Sequence, residues 1–248
     1  MKAVLNISAY KFHLLADAAE LRATLYERAL ALGLKGTVLL AEEGINLFLA
    51  GSPEGVRGWV HQLQQDERFA DLAPKESFSD TVPFKRLLVK VKREIIRMNR
   101  PAVRPAAGRA PALPAPTLAR WLEQGHDDTG RPVVMLDTRN GFEVDAGAFE
   151  DAIDWRLTKF SEFPDALQAN LAALQGKTVV SYCTGGIRCE KAALLMQEAG
   201  LANVWQLEGG ILKYFEETHA PRWRGACFVF DERVGLAADL QPAEPATA

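Results

Sequence analysis

Cysteine is scarce in this chain: Cys183, Cys189 and Cys227 are the three in 248 residues. Their spacing fits neither a disulfide framework nor a structural zinc site, and both are excluded. A reducing cytoplasm suits such a composition. The four histidines, His13, His61, His126 and His219, are scattered without ligand spacing, so no metal site is expected. No apolar run approaches a membrane span, and the opening Met1-Lys-Ala-Val-Leu-Asn6 lacks the layout of a signal peptide. Charge of one sign is also missing. A formal net charge of −3 gives no global attraction to nucleic acid, so any such binding must come from a local patch. What remains, 48% hydrophobic and 25% charged residues, describes a soluble globular protein with real cores. Its length suggests two domains.

One stretch carries chemistry. In Thr178-Val-Val-Ser-Tyr-Cys-Thr-Gly-Gly-Ile-Arg-Cys-Glu-Lys-Ala192 an apolar β-branched run ends at Cys183 and two glycines, Gly185 and Gly186, bend the chain. A helical pattern begins near Cys189. Backbone N–H groups of such a loop can converge on a sulfur, and a helix N-terminus adds positive potential. Both lower a thiol pKa, and the thiolate is the nucleophile. Arg188 and Lys191 add positive charge, whereas Glu190 opposes it. The bland alternative, a free cysteine packing a strand end, accounts for neither the glycines nor the charges.

The first hundred residues read as a small α/β sandwich. Strand-like Ala3–Tyr10 leads to a helix that Asp17 could cap, running through Leu21, Leu25, Ala29 and Leu32. Thr37–Leu40 and Ile45–Leu49 form strands around a turn at Glu42-Glu43-Gly44. Ser52-Pro53 starts a helix whose apolar face is Val56, Trp59, Val60 and Leu63. Arg86–Lys92 alternates as the last strand. The order βαββαβ suggests a ferredoxin-like, acylphosphatase-like fold. Residues 101–116 hold five prolines and read as an extended linker. Residues 117–225 then alternate β and α, beginning with a short helix capped by Thr117. This implies a mostly parallel sheet with helices on both faces. Asp137, Arg139 and Cys183 would share its carboxyl edge. Residues 226–248 are a C-terminal segment whose tail after Ala237 reads as disordered.

Tyr182-Cys183-Thr184-Gly185-Gly186-Ile187-Arg188-Cys189 resembles the rhodanese active-site loop, in which the first cysteine carries a persulfide. Cysteine phosphatases need an arginine six residues after the cysteine. Here that position is Cys189 and the arginine comes one residue early, which argues against phosphatase activity. A wider set of stretches resembles the rhodanese-type tRNA uridine hydroxylases: Glu43–Asn46, Pro83–Ile96, Asp137–Glu143, Gly147–Phe149, Cys183–Lys191 and Gly225–Val234. Leu47-Phe48 departs from the small glycine-containing turn of many relatives. The chain also stops soon after Val234, where longer relatives carry a cysteine-containing extension.

That resemblance implies oxygen-dependent conversion of the tRNA wobble uridine to 5-hydroxyuridine. Cys183 is then the catalytic residue and persulfide carrier, with Arg188 beside it and Thr184, Gly185, Gly186 and Ile187 forming the loop. Asp137, Arg139 and Lys191 support it. No cofactor is identifiable; molecular oxygen is implied as co-substrate, and tRNA and a sulfur or electron donor protein as partners. Lys85–Arg100 holds seven Lys or Arg against one Glu. A solvated strand face is its default reading, but the resemblance makes Lys85, Arg86, Lys90, Lys92 and Arg93 candidate RNA contacts. Arg139 either orients an acidic group at the loop or simply holds Asp137. Cys189 is a resolving thiol or packs the first helical turn, and packing is favoured because a tight loop can point the sulfurs apart. Cys227 reads as core. Trp121, Trp155, Trp205 and Trp223 read as core or interface residues, with Trp223 between Arg222 and Arg224 the best candidate to stack on a base. The competing functions are plain sulfur transfer through a Cys183 persulfide and a non-catalytic RNA-binding adaptor.

Overall fold

The computed structural model describes residues 4–243. The chain divides into two compact units, one of residues 4–97 with 230–233 and the other of residues 98–229 with 234–243. Among the described residues no helix is long and apolar enough to cross a membrane.

In the first unit, β1 (Val4–Phe12), α1 (Ala18–Ala31), β2 (Lys35–Ala41), β3 (Gly44–Gly51), α2 (Pro53–Gln64), β4 (Lys75–Ser79) and β5 (Leu87–Val91) follow one another. The sheet order is β4-β1-β3-β2-β5. The first four of these strands make the βαββαβ arrangement, so its closing strand is β4 and not Arg86–Lys92 as the sequence suggests. β4 escapes a sequence reading because Lys-Glu-Ser-Phe-Ser is a polar edge strand, which natural sheets use to blunt an open edge. β5 is an added fifth strand, parallel to β2 at the opposite edge. Leu5, Ile7, Leu25, Leu47, Leu49, Val56, Trp59 and Leu63 are buried together in one core. Ser52 accepts Gly55 N–H at 3.1 Å, a cap worth about 1 kcal/mol. Asp17 makes no cap hydrogen bond; its carboxylate turns to Arg68. The Glu43–Asn46 stretch has a clear duty. Glu43 accepts Ile95 N–H at 2.7 Å and the Asn46 side chain donates to Ile95 O at 3.3 Å, pinning the chain within the basic run.

The second unit begins with β6 (Ala112–Leu113) and α3 (Ala115–Gln124), both inside or next to the stretch that reads as a linker. Gln206 N–H donates to Pro111 O and Glu208 N–H to Leu113 O, each at 3.0 Å, so the segment adds a short edge strand. Proline-rich chain can do this only at an edge, where its missing N–H groups face no partner. Pro114, not Thr117, precedes α3, and Thr117 lies within the helix. Then come β7 (Val133–Asp137), α4 (Gly141–Ala146), β8 (Gly147–Phe149), β9 (Ile153–Asp154), α5 (Phe163–Leu174), β10 (Thr178–Tyr182), α6 (Ile187–Glu198), β11 (Val204–Leu207), α7 (Gly210–Thr218) and β12 (Trp223–Gly225). The sheet runs β6-β11-β10-β7-β9 and every pairing in it is parallel. β10, central and buried at all five residues, delivers Cys183 to the carboxyl edge. Beyond β12, residues 230–233 join the first unit, where Arg233 donates to Ser77 Oγ at 2.7 Å. Part of the expected disordered tail is held: Ala243 N–H donates to Gly235 O at 2.9 Å. Residues 244–248 lie outside the described residues.

Candidate active site

Cys183 leaves β10 into the Thr184–Gly186 turn, and α6 opens at Ile187, two residues before the position its apolar pattern suggests. Gly186 takes φ +99, a left-handed conformation open to glycine, and this turns its N–H back onto the Cys183 sulfur at 3.1 Å. The Arg188 backbone N–H donates to the same sulfur. Two inward amides at a helix N-terminus are the arrangement that the glycines and the strand ending imply. The sulfur has no exposed surface, yet its surroundings are polar. Burial pushes the Cys183 pKa up, but a hydrogen bond from the Cys189 thiol, the Arg188 guanidinium and the two amides outweigh it and hold the thiol below its usual range.

Arg188 is 5% exposed, and both its terminal nitrogens bind the Glu143 carboxylate, at 2.6 and 2.7 Å. Burial works against its charge, and Glu143 restores it. Glu143 also accepts Asn140 N–H at 3.0 Å at the start of α4. The carboxylate thus ties the ends of β7 and β10 together. Sequence reading quoted Glu143 in a matched stretch without giving it a role. The signal was there: Asn140-Gly-Phe-Glu143 has capping-box spacing.

Asp137 and Arg139 do lie at this edge, but they bind each other. Arg139 has no exposed side-chain surface, donates to the Asp137 carboxylate at 2.6 and 3.0 Å, and donates onward to Glu143 O and Gly147 O. Its guanidinium also lies over the Tyr182 and Trp223 rings, at 5.6 and 5.4 Å. Of its two readings, the structural one holds. Trp223 is accordingly packed among Phe149, Tyr182 and Phe215. Trp121 meets Trp205 edge-on. Lys191 is buried on α6, and Glu190 pairs with Arg109 and with Gln206.

Cys189 packs the first turn of α6 with no exposed surface, as expected, but the two sulfurs do not point apart. Its thiol hydrogen-bonds Cys183 and lies 3.7 Å from Thr138 Oγ1, which itself donates to Tyr182 O at 2.9 Å. Burial and the neighbouring Cys183 push the Cys189 pKa well up. Cys227 is core, as expected: burial raises its pKa to about 12.

Gly210, the first residue of α7, supports the loop from behind. Ile211 N–H donates to Cys183 O at 3.0 Å and Leu212 N–H to Thr184 O at 3.2 Å. A Cβ at Gly210 would stand 2.5 Å from Cys183 O and 2.7 Å from Gly186 N, and its φ is +69. No spacing rule announces such a contact, since it joins segments that are remote in sequence.

In the first unit Lys85, Arg86, Lys90, Lys92 and Arg93 are all exposed, and none forms an ion pair among the described residues. The alternation is imperfect: Val89 is 4% exposed, but Val91 is 45% exposed.

Two family models match, a UPF0176 acylphosphatase-like domain over residues 4–95 and a rhodanese-like domain over residues 118–217. Relatives that carry the name tRNA uridine(34) hydroxylase include the following three. The protein of Delftia acidovorans is 70% identical, with 97% of this chain and 91% of that one aligned. The Variovorax paradoxus protein is 65% identical over the same shares. The Bordetella avium protein is 64% identical, over 96% of this chain and 99% of that one. The match runs through both units and includes the amide-cradled cysteine, and by this measure the chain belongs to the tRNA uridine(34) hydroxylase family.

Proposed function

We propose that this protein hydroxylates uridine 34 of tRNA to 5-hydroxyuridine, with Cys183 as nucleophile and molecular oxygen as co-substrate. The observation that carries the reading is the sulfur itself. It receives Gly186 N–H at 3.1 Å beside a charged Arg188, in a chain 70% identical to a named hydroxylase. A thiolate adding to C6 of uracil raises electron density at C5, where an oxidant attacks. The Arg188 guanidinium and loop amides stabilise the ionised sulfur before addition and after release. Since Cys183 has no exposed surface, the residues over it must part before a base can reach it. Lys85, Arg86, Lys90, Lys92 and Arg93 supply phosphate contacts to tRNA, and a donor protein replenishes electrons. The cytoplasm, where tRNA is found, is the proposed compartment. Plain sulfur transfer needs the rhodanese-like half alone and leaves the matched residues 4–95 unused.

Nucleoside mass spectrometry of tRNA from a strain deleted for the gene tests this. Restoring the wild-type gene restores 5-hydroxyuridine, and Cys183→Ala does not. Normal 5-hydroxyuridine with Cys183→Ala ends the proposal.

A further inference from the structure

The uracil chemistry above leaves unused a second thiol at the loop, that of Cys189. It occupies the third position of α6, with its N–H donating to Gly186 O at 3.1 Å. That anchors the side chain beneath the loop, between Thr138 Oγ1 at 3.7 Å and the Cys183 sulfur that it hydrogen-bonds. Neither sulfur has exposed surface, and both are free thiols.

Replacing C5–H by C5–OH with molecular oxygen has a fixed electron count. One oxygen atom enters the carbon–hydrogen bond. The other must leave as water, and that takes two electrons and two protons from elsewhere. A dithiol closing to a disulfide releases two of each. We propose that Cys183 and Cys189 together are the immediate reductant of the hydroxylation, so that each turnover ends with a Cys183–Cys189 disulfide. Uridine, oxygen and two thiols give 5-hydroxyuridine, water and the disulfide. Both S–H bonds and the O–O bond break, an S–S bond forms, and the thiol hydrogens end in water. The sulfurs close from hydrogen-bond contact to about 2.05 Å. The outer oxygen of a C5 hydroperoxide passes to the Cys189 sulfur, leaving C5–OH and a sulfenic acid, and Cys183, once eliminated from C6 as thiolate, attacks that sulfur and releases the oxygen as water. An external thiol reductant then reopens the pair.

This rests on the hydroxylase reading, and its test separates the two. The full-length enzyme is reduced with dithiothreitol, desalted under nitrogen to remove reductant and any sulfane sulfur, and mixed in air with excess unmodified tRNA transcript. After acid quench and alkylation, mass spectrometry counts 5-hydroxyuridine and the linked Cys183–Cys189 peptide. Product is expected to stop at one per enzyme with one disulfide per product, and added dithiothreitol to restart it. Without tRNA the disulfide forms roughly tenfold more slowly or less. Cys189→Ser gives less than about a tenth of the wild-type burst while Cys183 still takes iodoacetamide. The proposal is overturned by product accumulating past one equivalent with both thiols still alkylated, or by an unaltered burst in Cys189→Ser. If wild-type enzyme supplied with dithiothreitol makes no 5-hydroxyuridine at all, the hydroxylase reading itself falls.

Discussion

The β5 edge and the Cys183 loop handle charge in opposite ways. On and beside β5 five basic side chains stand in solvent with no acidic partner among the described residues. Around Cys183 the charged groups are tied to one another and, Arg109 apart, buried: Arg188 to Glu143, Arg139 to Asp137 and Glu190 to the exposed Arg109. Exposed charges contribute little to folding and remain free to meet a polyanion. Buried ones fix geometry, and each becomes a liability when its partner goes. A substitution should therefore damage the fold in one region and only the encounter in the other.

The sharpest way to break that contrast is Glu143→Ala. It strands the Arg188 guanidinium at 5% exposure and removes the acceptor for Asn140 N–H. A loss of about 3–5 kcal/mol in urea unfolding is expected, with activity abolished. A loss below about 1 kcal/mol would mean that the pair is not desolvated in solution. Next comes Gly210→Val. Its Cβ would meet backbone on both sides of the loop at 2.5 and 2.7 Å, so the loop and not the valine must move. Turning the Gly186 N–H away raises the Cys183 pKa. The pH midpoint of iodoacetamide alkylation should move up with it, and below that midpoint the rate should fall roughly tenfold for each unit of the rise. An unchanged alkylation rate would show that the amide is not what holds the thiolate.

How much of this could be read from residues alone follows the same division. Local chemistry was legible. Strand, paired glycines and helix around Cys183 announced the inward amides, and Ser52-Pro53 announced a helix start. Contacts between remote segments were not. Arg188 meets Glu143 across 45 residues of sequence, and Gly210 backs the loop through a close backbone approach that no side-chain pattern encodes. The polar β4 and the proline-bounded β6 were missed because edge strands carry the residues that make central strands unfavourable. The orientation of Cys189 turned on where α6 begins. Starting at Ile187, the helix aims the thiol at Cys183.

Cys189→Ala refines the loop's electrostatics without breaking its ion pairs. In the folded chain Cys183 titrates below the unfolded thiol value of about 8.5. Its thiolate therefore adds stability that is complete above that value and fades as pH falls through the lower folded one. Removing the Cys189 hydrogen bond raises the folded pKa, so the alkylation midpoint should move up in pH and the stabilisation at neutral pH should shrink. A midpoint that stays in place would assign the thiolate to Arg188 and the amides alone.

The smallest effect on the fold, and the most selective one on binding, belongs to β5. Lys90→Ala with Lys92→Ala removes two exposed cations that touch no acidic group among the described residues, so stability should change by less than about 0.5 kcal/mol. If these lysines meet tRNA phosphates, binding weakens without regard to sequence. The slope of log affinity against log salt should then become shallower by about one unit per lysine. The rate of Cys183 alkylation in the absence of tRNA should match wild type, because neither lysine belongs to the unit that holds the sulfur. A salt slope equal to wild type would move the tRNA contact to another surface and leave β5 as a solvated edge, protected from strand-to-strand association by its own charge.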